Sequence, residues 1–167
     1  MEPEVIDDLP PWYRKPLIMA GAVFVTLLIA SLTFSQTIEG IVQSKKVAER
    51  TLIFTAATII FTNSTLEQIQ QEYLANPQRE IKACLFGTKK EPHYYIERVE
   101  FPKILRANAI HVQSISCSQD VLIDLHSHPI NSCLASDVDI GSLKDIQAQN
   151  PQTRMVIMCS KTRFALV

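Results

Sequence analysis

The chain has 167 residues, 47% of them apolar, with a net charge of −1 at neutral pH and a pI near 6.4. That length holds one domain plus an accessory segment, and that composition suffices to build a core. Basic residues come at most in pairs, such as Lys45-Lys46 and Lys89-Lys90, so the electrostatic footprint of a nucleic-acid binder is missing and no such partner is expected.

Residues 1–15 mix Glu2, Glu4, Asp7 and Asp8 with Pro3, Pro10 and Pro11, and are expected as a flexible tail. From Leu17 to Phe34 there are eighteen residues without a charge, long enough to cross a bilayer. Trp12 and Tyr13 beside Arg14 and Lys15 suit a headgroup anchor, so a transmembrane helix is expected over 16–35. The rival is a cleaved signal peptide, with Thr33-Phe34-Ser35 as a small-x-small site. Against it, the apolar run is longer than a usual signal core and the leader is acidic. Flanking charge does not orient the span: Arg14 and Lys15 stand against Lys45, Lys46 and Arg50.

Residues 36–49 read as a linker and 50–167 as the folded domain. Thr51 to Phe61, apolar and β-branched, reads as one long or two short strands. Ser64 with Glu67 forms a capping box for a helix whose apolar face is Leu66, Ile69, Tyr73 and Leu74, stopped by Asn76-Pro77. Two strands follow, Glu80 to Phe86 and His93 to Phe101, joined by a turn over 87–92. A loop is expected from Pro102 to Asn108, then a strand from Ile110 to Ser116. His93 and His111 have no partner at ligand spacing and are expected in structural or surface roles. The chain closes with a helix over 137–149 and a hairpin of Met155–Cys159 with Arg163–Val167.

Cys84, Cys117, Cys133 and Cys159 are scattered and form no close-spaced motif. Buried free thiols are the simpler reading and favour a reducing cytosol; the even count leaves two disulfides as the alternative. Cys133 lies between His128 and Ser136, where a small loop residue, a stray metal ligand and an oxidation-sensitive thiol are all readings of it.

The chemistry is concentrated in Leu125-His126-Ser127-His128-Pro129, followed by Ser136 and Asp139. Val121-Leu122-Ile123 reads as a buried strand leading into the pair, and residues two apart in a strand share a face, so both imidazoles can reach one ion. Pro129 ends the strand. Ser136 stands where the N-cap of a helix with Ile140, Leu143 and Ile146 belongs, placing Asp139 in its first turn. His126, His128 and Asp139 are thus three ligands from two rigid elements, with a fourth position open, which is the catalytic pattern of zinc. The ordinary reading of the same residues is a capping arrangement next to two satisfied core histidines.

This pattern resembles the JAMM (MPN+) metalloproteases, whose signature is a glutamate upstream of H-x-H-P-x6-S-x2-D. Glu80-Ile81-Lys82-Ala83-Cys84-Leu85-Phe86-Gly87 is similar to that family's first core strand, the acidic residue standing seven before a glycine, with Ala83 in place of a common glycine. The likeness covers roughly 50–167. It implies an α/β (α+β) domain, a mixed curved β-sheet flanked by helices and preceded here by one transmembrane helix. It implies Zn2+ on His126, His128 and Asp139, Glu80 as general base, and Ser136 as donor to the tetrahedral intermediate. The implied activity is that of a zinc metallopeptidase hydrolysing a peptide or isopeptide bond at the C-terminal tail of a ubiquitin-like protein or its conjugates. A minimal, prokaryote-like catalytic domain on the cytoplasmic side of a single-pass anchor is the resulting expectation. Two other readings share the motif: the RadC group, associated with DNA, and a non-catalytic scaffold of the same fold. The lack of a basic surface counts against the first, and the presence of all four signature residues against the second.

Overall fold

A computed structural model describes residues 11–107, 112–128 and 132–167 of the chain. Residues 1–10, 108–111 and 129–131 lie outside the described residues, and with them most of the expected tail, His111 and Pro129. The chain divides into two units, Met1–Ile38 and Glu39–Val167.

The first unit contains most of a long helix, α1 (Pro11–Gln43), which opens on a proline where the missing N–H costs nothing. Its stretch Lys15–Leu32 is apolar enough to cross a membrane, and none of it is buried within the protein. At 1.5 Å per residue these eighteen residues span about 27 Å, close to a bilayer's hydrocarbon thickness of about 30 Å. Membrane anchors and signal sequences both have these properties.

The second unit begins with the last turn of α1. It continues through β1 (Lys45–Lys46), β2 (Thr51–Ile53), β3 (Thr58–Phe61), α2 (Asn63–Ala75), β4 (Lys82–Lys90), β5 (His93–Glu100), β6 (Ile104–Ala107), β7 (Val112–Ser114), β8 (Ile123–Ser127), α3 (Asp137–Gln149), β9 (Arg154–Ser160) and β10 (Arg163–Leu166). Eight strands form one mixed sheet in the order β1-β10-β9-β8-β4-β5-β3-β2, parallel at β8–β9 and β3–β5 and antiparallel elsewhere. The sheet curves until its edge strands β1 and β2 approach each other, so it is nearly closed. The expected mixed curved sheet with helices is therefore present. The segment 36–49, read as a linker, is helix as far as Gln43 and then supplies the edge strand β1.

Strand β8 shows how the sheet separates core from site. Ile123 and Leu125 join Ala83, Leu85, Ile96, Val156, Met158 and Phe164 in the main core, together with Leu66 and Ile69 of α2. Burying each such large side chain contributes about 1.5–3 kcal/mol. The alternating residues Asp124, His126 and His128 belong to the opposite face, because strand side chains alternate.

Several expected boundaries are corrected. The cap of α2 is Thr62, whose extended backbone lets its hydroxyl accept the Thr65 N–H at 3.2 Å, and not Ser64, which is already helical. Leu74 is 55% exposed and leaves the helix's apolar face to Leu66, Ile69 and Tyr73. Residues 87–90 are strand rather than turn, and the chain reverses only at Glu91-Pro92. Gly87 marks a β-bulge inside β4, where any side chain would overlap the Tyr95 carbonyl oxygen. Part of the loop expected over 102–108 is β6, paired with β7 in a separate two-stranded sheet. The thiols are not free: Cys84 bonds to Cys117 and Cys133 to Cys159, their Cα atoms 5.6 and 5.1 Å apart. Cys133 is thereby removed from the possible metal ligands.

Candidate metal centre

Strands β4 and β8 pair with Lys82 opposite His126, and the same register carried two residues further sets Glu80 opposite His128. Side chain and main chain both hold that extension. The Ser127 N–H donates to the Ile81 carbonyl at 3.0 Å, and the Ile81 N–H donates to Ser127 Oγ at 3.0 Å. Glu80, expected to open the strand, therefore precedes it by two residues, yet it is buried and faces the histidines, with Oε1 3.9 Å from His128 Nε2.

Helix α3 brings the third ligand. Ser136 caps it, Oγ accepting the Asp139 N–H at 3.2 Å, while the Ser136 N–H and Oγ both donate to Asp139 Oδ2 at 2.7 Å. This complete capping box fixes the Asp139 carboxylate at the first turn. Its Oδ1 lies 3.1 Å from His126 Nε2 and its Oδ2 3.6 Å from His128 Nε2. The capping reading and the ligand reading thus coincide in the same residues.

One ligand atom from each of His126, His128 and Asp139 lies within 4.8 Å of the others, so the group could hold a metal ion. His126 Nε2 is buried and makes no hydrogen bond, although Asp139 Oδ1 is 3.1 Å away. A buried polar atom without a partner is costly, and a cation among these three residues would remove that cost. His128 is oriented from behind: its Nδ1–H donates to the Ser132 carbonyl at 3.1 Å, which in the neutral ring leaves the Nε2 lone pair facing the group. The donor set of two imidazoles and a carboxylate suits zinc and other first-row divalent ions.

Charge reinforces the arrangement. Burial pulls the His128 pKa down, but the Asp139 carboxylate 3.6 Å from Nε2 and the negative charge of Glu80 outweigh it, leaving the pKa above the ordinary 6.5. Partial burial would raise the Asp139 pKa, but the two imidazoles and the Ser136 N–H hold it far below the usual carboxylate range. Asp139 therefore stays an anion at any working pH.

The other upstream glutamates are elsewhere. Glu91 pairs with Lys89 at 2.7 Å, Glu100 pairs with Arg98, and Glu97 accepts from Thr88 Oγ1 at 3.4 Å. His93 stacks on Tyr95 with ring centroids 6.2 Å apart. The sequence reading missed the ion pair between Lys82 and Asp124, at 2.5 Å, one ladder step from His126. The only signal for it was an aspartate inside an otherwise apolar strand. No protein-family model matches the chain, and no curated protein is similar to it in sequence.

Proposed function

We propose that this chain is a zinc-dependent amide-bond hydrolase of JAMM type, a metallopeptidase or isopeptidase. The observation that carries this reading is the convergence of His126, His128 and Asp139 with a buried carboxylate, Glu80, 3.9 Å from His128 Nε2. When bound, zinc supplies a Lewis acid and lowers the pKa of water toward neutrality. His126 Nε2, His128 Nε2 and Asp139 are the atoms that would hold it. Glu80 takes the proton from the attacking water at its carboxylate and passes it to the leaving nitrogen. Ser136 Oγ, now donating to Asp139 Oδ2 at 2.7 Å, turns to donate to the developing oxyanion.

From the resemblance, the substrate is the C-terminal tail of a ubiquitin-like protein or its conjugates. The test uses the full chain in detergent, loaded with zinc or stripped by chelator, with one peptide-linked and one isopeptide-linked ubiquitin-like tail. Zinc-dependent cleavage of at least one is expected; cleavage of neither by the zinc-loaded chain overturns the reading.

The two disulfides favour a different location from the cytoplasm. Such bonds persist in oxidising compartments, so α1 is read as a single-pass anchor holding the domain on the outer side, with substrates drawn from proteins there. Protease added to intact cells should then digest the domain while the chain remains in the membrane after alkaline washing. Full protection of the domain would restore the cytoplasmic assignment.

A further inference from the structure

The Cys84–Cys117 disulfide starts from the face of the sheet that bears the histidines. Cys84 pairs with Asp124 in the β4–β8 ladder, two residues along both strands from the Lys82–His126 pair, an advance of about 7 Å. From there the bond crosses to the segment that follows β7. Two cavities meet at that segment. One of about 540 Å³ takes in Lys82 and Asp124, and one of about 290 Å³ takes in Glu100 and Lys103. Ser116, Cys117 and Ser118 line both, so they form the wall between them.

We propose that this disulfide is a site of thiol–disulfide exchange, opened by a dithiol reductant entering the smaller cavity, and that its opening releases the wall. Access decides which of two disulfides reacts. Cys133 and Cys159 are 5% and 1% exposed and line neither cavity, whereas Cys117 is partly exposed and lines the smaller cavity together with Cys84. Cys84 is 3% exposed within the central strand β4, so Cys117 Sγ takes the attack and Cys84 Sγ is the leaving group. Lys103, exposed, lines the same cavity, while Glu100 pairs with Arg98, so the charge that meets an incoming thiolate is positive. One thiolate of the reductant bonds to Cys117 Sγ, the Cys84–Cys117 bond breaks, and its electron pair leaves on Cys84 Sγ, which takes up a proton. The reductant's second thiol then attacks the first sulfur and expels Cys117 as a thiol. Two electrons and two protons pass to the protein, and the reductant ends as a disulfide. Beside the bond, the Ile115 N–H donates to the Lys103 carbonyl and the Val121 N–H to the Ser118 carbonyl, each at 3.1 Å, and the disulfide fastens the stretch between them to the large sheet. That the larger cavity receives substrate rests on the hydrolase reading, in which a released wall binds substrate less tightly; the exchange itself does not rest on it.

The experiment exposes the full chain in detergent to dithiothreitol for graded times, alkylates the free thiols with iodoacetamide and maps them by mass spectrometry. Cys84 and Cys117 are expected to be labelled together, about tenfold faster than Cys133 and Cys159. Lys103→Glu should slow that labelling at low salt and leave it unchanged at high salt. Trypsin added once the first pair is open should cut after Lys103 and Arg106 faster than in the oxidised chain. A Cys84→Ser/Cys117→Ser variant should be cut at the faster rate without reductant. Circular dichroism on each sample follows the fold. Simultaneous opening of the two disulfides, earlier opening of Cys133–Cys159, or opening of Cys84–Cys117 only as the fold is lost overturns the exchange site. Selective opening with trypsin rates unchanged overturns the release of the wall. None of these readouts uses hydrolysis, so the exchange site stands or falls separately from the hydrolase reading.

Discussion

Replacing Glu80 by Gln is expected to lower turnover about a hundredfold to ten-thousandfold, the usual worth of a positioned general base, while leaving zinc and fold in place. Glutamine keeps the size of the side chain, so the buried pocket beside His128 stays filled and the Ile81–Ser127 clamp is untouched. What disappears is a carboxylate able to accept a proton. Its negative charge also helps to hold the His128 pKa up, so the variant should protonate His128 less readily and bind zinc no more weakly at mildly acidic pH. Glu97→Gln and Glu100→Gln, both exposed on β5, are the controls and should remain near wild type. A cleavage assay, zinc analysis and melting curve on each variant decide the matter. Near-normal cleavage by Glu80→Gln sinks the general-base assignment, and loss of zinc in that variant recasts Glu80 as a ligand.

The convergence of His126, His128 and Asp139 was legible in the sequence because each of its parts follows a short-range rule. Two histidines one residue apart share a strand face, and Ser136 three before Asp139 is a capping box, so α3 appears over the residues expected for it. Glu80 needed more. Its position follows from the β4–β8 register, and from sequence alone it came through family resemblance and through the apolar strand it was expected to open. Features that depend on partners far along the chain were misread. The cysteines of each disulfide are 33 and 26 residues apart, and each bond joins a strand cysteine, Cys84 of β4 or Cys159 of β9, to one in a connecting segment, so only the tertiary fold brings them together. Gly87 shows a different difficulty, since glycine serves a turn and a bulge equally well and the pairing with β5 decides between them. The run Thr62-Asn63-Ser64-Thr65 contains four residues that cap helices, and the backbone selects the first.

His126→Ala and Asp139→Ala should each abolish zinc binding, with losses exceeding the tenfold to hundredfold typical of removing a residue that merely supports a ligand. Their effects on the metal-free fold should differ. His126 is buried in a central strand, so truncation leaves a cavity, whereas Asp139→Ala removes half of a capping box, at a cost of about 1 kcal/mol. Ser136→Ala disrupts the same cap while sparing all three ligands, and should keep its zinc. The pH dependence carries a second signature. With its folded pKa raised above 6.5, His128 stabilises the metal-free protein fully below that value, and this contribution is lost as pH rises through the raised pKa. Zinc requires the neutral ring, so its affinity runs the other way and falls as pH drops through the same window. Asp139, ionised throughout, contributes no slope there. The rise in melting temperature produced by zinc should therefore grow from pH 6 to pH 8, reaching about 4 kcal/mol of stabilisation where free zinc is a thousandfold above its dissociation constant. Full zinc occupancy in both His126→Ala and Asp139→Ala, or a zinc-induced shift that shrinks as pH rises, would show that these residues do not form the metal site.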